Sequence, residues 1–215
     1  MMKNLLKKRK LAQVQQPEAA QAKKEKIRVD LLVKAREVLQ DKGLEFLTAR
    51  KLADYSGYSV GTIYNQFKSM DTLIVWENCQ TLDELYEELK KAEFGSDAYK
   101  NLNYLLEKFI DFVLDNKKLW FSLYNFHFTS SGGHFELFYL RRIINIVQLL
   151  ENNVHKLFNK VPEKERKVST EVMFVSLFAL SSLLTTDKEF VRLEKRYVVR
   201  VLFNTYLAGM SYLKK

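Results

Sequence analysis

Thr48-Ala-Arg-Lys-Leu-Ala53, followed by Ser56-Gly-Tyr-Ser-Val-Gly-Thr-Ile-Tyr-Asn-Gln-Phe-Lys-Ser69, is the stretch on which the fold turns. Thr48 is a residue type that caps a helix start, so a short helix is predicted over Ala49–Tyr55, with Gly57 free to take the left-handed conformation that closes it. Ser59 can cap a third helix over Val60–Phe67. Two helices of about two turns with a glycine-containing turn between them have the outline of a helix-turn-helix. Ile63 and Phe67 lie four apart on one helical face and are predicted to pack against Leu52 and Ala53. The opposite face carries Thr62, Tyr64, Asn65, Gln66 and Lys68, hydrogen-bonding side chains with almost no carboxylates. A face that only met water would mix both signs of charge; one placed against phosphates cannot tolerate Asp or Glu.

Upstream, Ile27, Leu31, Ala35 and Val38/Leu39 recur at helical spacing, and Gly43 is suited to the left-handed position after that helix. Ahead of Ile27 the chain turns basic. The net charge is +9, and residues 1–28 hold nine basic residues (Lys3, Lys7, Lys8, Arg9, Lys10, Lys23, Lys24, Lys26, Arg28) against Glu18 and Glu25. Residues 1–23 therefore read as a basic arm, disordered or helical, suited either to polyanions or simply to solvent. No apolar run follows these charges, so a signal peptide is not expected.

The 215 residues include only 7 Gly and 2 Pro, too little punctuation for many short strands, so an all-α protein is expected. A single Cys excludes a disulfide framework and points to a reducing, cytoplasmic setting. The longest apolar stretch, Val172 to Leu184, is interrupted by serines and is shorter than a membrane span, so stable membrane association is not expected.

The stretch Thr48–Ala53, the run Gly61-Thr-Ile-Tyr64, Phe67-Lys-Ser69 and Asp71-Thr-Leu73 together resemble the DNA-binding domain of the tetracycline-repressor (TetR/AcrR) family of bacterial transcriptional regulators. The resemblance covers about residues 24–75. It implies a three-helix helix-turn-helix domain over residues 24–70 and a C-terminal helical ligand-binding and dimerisation domain over 71–215. It also implies that Arg50 reaches a base edge while Thr62, Tyr64 and Lys68 meet phosphates or adjacent bases. The DNA-contacting set is accordingly expected to be Thr48, Arg50, Ser59, Thr62, Tyr64, Asn65, Gln66 and Lys68. Two departures weigh against full equivalence. Asn65-Gln66 stands where aromatic or His residues are usual, and Met70 stands where a phosphate-binding Lys is common.

Beyond the resemblance, Asp71–Lys91 reads as one linking helix of about 30 Å. Further helices are expected over about Asp97–Asn116, Lys117–Thr129, Phe135–Val161, Lys167–Thr185 and Glu189–Leu213. Aromatic residues crowd the region from Phe109 to Tyr139. Most such residues form core, but their density also suits an aromatic-lined pocket, giving Phe109, Phe112, Trp120, Tyr124, His127, Phe128 and Tyr139 as candidate ligand contacts. The segments Val168–Leu184 and Val198–Leu213 are apolar enough to need cover from a second copy, so a homodimer is expected.

No catalytic constellation is present: there is no nucleophile triad, P-loop or paired carboxylate motif. His127 and His134 lack partners at ligand spacing, so neither a metal nor a cofactor is expected. Cys79 has no basic neighbour in sequence and is expected to be buried and unreactive. Two functions remain. The first is a dimeric regulator, a repressor by resemblance, binding palindromic double-stranded DNA and responding to a small apolar or aromatic effector. The second is a non-specific binder of nucleic acid or anionic membrane that works through the arm.

Overall fold

The computed structural model describes residues 2–91, 96–129, 136–185 and 194–213, with side chains for all of these except residues 2–19, 127–129, 184 and 195. Its regular elements are helical throughout the described residues, and the chain divides into two compact units, Met1–Glu77 and Asn78–Lys215.

The first unit holds α1 (Met2–Lys42), a single 3-10 turn (Leu44–Phe46), α2 (Ala49–Ser56), α3 (Val60–Phe67) and the start of α4 (Met70–Lys90). Leu31, Ala35, Leu52, Ile63, Phe67 and Leu73 are almost completely enclosed, so the apolar spacing read from the sequence is the packing that forms. The α1 backbone is helical from Met2, well ahead of Ile27, and residues 20–26 are exposed because they carry no apolar face to bury. Gly43 does not take the left-handed helical conformation. It sits at φ 91°, ψ 175°, a region open to glycine alone, because the chain turns at once into the 3-10 turn that the sequence did not announce.

The helix starts follow local chemistry. Thr48 Oγ1 accepts from the Lys51 N–H at 3.3 Å and Ser59 Oγ from the Thr62 N–H at 3.1 Å. Ser69 Oγ accepts from the Thr72 N–H at 3.0 Å and opens α4. Each satisfies a donor that a helix cannot satisfy itself. Gly57, at φ 76°, ψ 4°, closes α2 in the left-handed conformation.

The second unit continues α4 and adds α5 (Ala98–Asp115), α6 (Lys117–Thr129), α7 (Leu137–Leu157), α8 (Glu163–Thr185) and α9 (Lys195–Tyr212). Its centre is aromatic. Trp120 meets the edge of Phe109 at 5.2 Å between ring centroids and tilts against Phe178 at 4.9 Å, while its Nε1–H donates to Ser182 Oγ at 3.1 Å. Ser122 donates to Asn78 Oδ1 at 3.0 Å in the same interior. Cys79 is buried as expected, and desolvation pushes its thiol up to about 11. The basic neighbour missing from the sequence is present in space, since Arg142 acts on this thiol in the opposite sense, but burial prevails. Among the described residues no helix is long and apolar enough to cross a membrane.

Candidate nucleic-acid interface

The interface is assembled on α2 and α3, which the capped turns hold against α1. Two tyrosines brace it from behind. Tyr55 donates to Glu37 at 3.1 Å, and Tyr58 is hydrogen-bonded to Asp30. The carboxylate partners push both phenols up, while Lys34, at 3.0 Å, and Tyr55 hold the Glu37 carboxyl below its usual range. Glu37 and Asp30 of α1 are thus engaged with the bracing side chains.

On the outward side, Thr48, Arg50, Ser59, Tyr64, Asn65 and Lys68 are exposed. Thr62 is half-buried, and its hydroxyl shares a 2.9 Å hydrogen bond with Ser59, so these two side chains serve the helix start as well as the surface. Gln66 is placed less favourably than its sequence position implied. It is half-buried and its Oε1 is shielded without a hydrogen-bond partner, because α3 turns that position toward the flank of the unit. No acidic residue lies between Asp54 and Asp71, so the surface of α3 has no carboxylate of its own.

Lys68 occupies a strained position. Its backbone lies at φ 63°, ψ −40°, the one non-glycine residue with positive φ among those described, and the Ser69 N–H closes back onto the Phe67 carbonyl at 2.7 Å. This is a γ-turn of the disfavoured hand, which joins α3 to α4 in two residues. A non-glycine side chain held there costs of order 1–3 kcal/mol. The sequence contained no sign of it, since a lysine at a helix end ordinarily reads as unstrained.

A second feature escaped the sequence reading. The Arg28 guanidinium lies over the Trp76 ring at 4.1 Å from its centroid and within 5.7 Å of the Phe67 ring, and Arg36 meets Glu77 at 3.5 Å in the interior. Both pairs tie α1 to the first turns of α4. Residues separated by more than forty positions leave no local pattern to find. Lys51, stacked over Phe46 at 4.1 Å, adds a cation to the exposed side of α2.

The candidate ligand contacts do not converge. Phe109 and Trp120 are enclosed in the core, Tyr124 lies half-buried against Phe178, and Phe112 borders an acidic groove beside Asp111 and Asp115. Among the members of the set whose side chains are described, Tyr139 alone lines an apolar groove of about 530 Å³ between α7 and α8. The side chains of His127 and Phe128 lie outside the described residues, as does His134. Among the described residues no cluster of His, Cys, Asp or Glu is arranged to hold a metal ion.

Comparison with known proteins agrees with this geometry. Residues 31–75 match the family described as bacterial regulatory proteins, tetR family. A sequence comparison with curated proteins finds no significant match. Among solved structures, PfmR, a TetR-family transcriptional regulator from Thermus thermophilus, is 16% identical with a TM-score of 0.60, over 83% of this chain and 97% of that one. BioQ, solved with its double-stranded DNA operator, is 15% identical with a TM-score of 0.62, over 84% and 98%. FadR from Thermus thermophilus, a TetR-family transcriptional repressor solved with lauroyl-CoA, is 15% identical with a TM-score of 0.64, over 85% and 94%. At such identities the structural likeness is one of fold. Residues 31–75 thus carry the helix-turn-helix module of the bacterial tetR family of regulatory proteins, and the chain shares the fold of the TetR-family structures it resembles.

Proposed function

We propose that the protein is a dimeric transcriptional regulator that binds a palindromic operator through Thr48, Arg50, Ser59, Thr62, Tyr64, Asn65 and Lys68, and releases it when an effector binds the second unit. The observation that carries this reading is the exposed, carboxylate-free surface of α3 beside Arg50. A helix of this kind can enter a major groove, where a bidentate arginine distinguishes guanine from other bases. Selection of bound sequences from random duplex DNA tests it. A palindrome with half-site centres about 34–36 Å apart, or a multiple, is the expected product. Recovery of no preferred sequence would remove the base-reading role.

Arg50→Ala is expected to relax preference at one base pair in each half-site, corresponding to about 1–3 kcal/mol of discrimination. Lys68→Ala should weaken all sequences alike and make the salt dependence shallower. Lys68→Gly should lose DNA affinity to the same extent yet raise thermal stability, since glycine tolerates positive φ without strain. Binding titrations on matched and mismatched duplexes, with thermal melts of the same variants, separate these effects. A uniform loss from Arg50→Ala would mean that this residue meets only the backbone.

The arm adds affinity without adding preference in this reading. Removing residues 1–23 is expected to lower affinity at every sequence and to reduce the slope of log K against log salt. The preferred palindrome should survive. An unchanged slope would assign the arm to something other than DNA.

Dimerisation is supported by side chains that α8 and α9 leave outside. Val172 is 59% exposed, and Val168, Leu183, Tyr197 and Val201 are also exposed. Apolar residues repeated along two helices form a patch that a second copy can cover.

A further inference from the structure

The groove between α7 and α8 has a floor of Tyr139, Phe174 and Phe178, all buried, and walls that include Ile143 and Val147. Its volume of about 530 Å³ is in the range of small-molecule sites. At one end it runs past Gln148, Glu151 and Lys167, which also line an adjoining polar basin of about 580 Å³. An apolar trench and a polar basin thus form one continuous depression.

The basin contains a guanidinium without a hydrogen-bonded counter-charge. Arg166 is 7% exposed, its Nη1 donates to the Val161 carbonyl at 3.1 Å, and its Nε is buried without a partner. The carboxylates around it are engaged elsewhere or stand apart. Glu163 meets Arg166 only through space, being bonded to Lys167 at 2.6 Å. Glu151 acts on that same lysine, and Glu171 lines the apolar trench rather than the basin. Asn152, His155 and Lys156 complete the rim. A guanidinium held out of water with one neutral acceptor is costly, and its planar fork matches the oxygens of a carboxylate or phosphate.

We propose that this depression binds a free amphiphilic anion, with its apolar chain in the trench and its carboxylate or phosphate group on Arg166. The inference deepens the effector part of the proposed function and rests on that reading only for its regulatory consequence.

The test is calorimetric titration of the full chain with decanoate, decylphosphonate and decyltrimethylammonium. Both anions should bind with one site per chain, and more tightly than the cation. Arg166→Met should weaken the anions by about 10- to 100-fold and leave the cation unchanged. Val147→Phe, which fills the trench without touching Arg166, should weaken all three. Equal binding of anions and cation, retention of decanoate affinity by Arg166→Met in a folded protein, or no binding of any probe would each overturn the inference. Sedimentation with phosphatidylglycerol vesicles through Arg166 would also overturn it, assigning the site to a bilayer headgroup. DNA affinity of the same ligand-free preparations is measured alongside. Intact DNA binding without decanoate binding removes this site alone, whereas decanoate binding without DNA binding removes the regulator reading alone.

Discussion

Val168→Asp and Val172→Asp are each expected to yield monomers and to lower operator affinity by about two to four orders of magnitude. Both side chains project from α8 into solvent, so an aspartate there disturbs no interior packing of its own chain. In a pair of chains, however, the carboxylate would be desolvated against the partner's apolar surface with nothing to compensate it. A monomer keeps its contacts with one half-site but loses the effective concentration that makes the second contact intramolecular, a factor of about 10²–10⁴. Leu180 and Leu202, which the apolar pattern alone would nominate, are half-buried, and substitution there would disturb the core as well. Analytical ultracentrifugation at micromolar concentration reads the first effect and operator titration the second. A wild-type protein that sedimented as a monomer would dispose of two-fold DNA recognition.

Trp120→Ala is expected to destabilise the second unit by about 3–5 kcal/mol whether or not a ligand is present. Trp120 is 1% exposed and packs on Phe109 and Phe178, so truncation leaves a cavity among aromatic rings that cannot close around it. Ser182 Oγ keeps its own bond to the Phe178 carbonyl at 2.8 Å, which makes the loss one of packing more than of hydrogen bonding. Trp120→Phe should cost markedly less. Urea unfolding followed by circular dichroism measures both. A variant that kept wild-type stability but lost an effector would instead place Trp120 in a binding site.

The same residue illustrates how far the candidate sites were legible. The density of aromatic side chains between Phe109 and Tyr139 was plain in the sequence, but a core and a pocket use the same residue types, and only the placement of each ring, among packed side chains or along a groove, separates them. Phe109 and Trp120 went to the core and Tyr139 to the groove. Gln66 and Asn65 were equivalent as neighbours on a polar face, yet one is half-buried and the other exposed, because the wheel of a two-turn helix is too short to assign its flanks.

What the sequence determined by itself was whatever depends on near neighbours: the caps at Thr48 and Ser59, the glycine stop at Gly57, the apolar faces meeting at Leu52, Ile63 and Phe67, and the freedom of α3 from carboxylates. Each of these is a short-range consequence of hydrogen bonding, φ preference or helical periodicity, and each survives because tertiary packing reinforces it. Only the folded structure decided the rest. The strained γ-turn at Lys68 is imposed by the two-residue join between α3 and α4, against the preference of a lysine. Arg28 reaches Trp76, and Arg36 reaches Glu77, across more than forty residues of chain. Arg166 is one basic residue among many in the sequence, and it becomes distinctive only because the structure removes it from water without bonding it to a counter-charge. Desolvation is a property of everything packed around a group, and no local stretch of sequence contains that information.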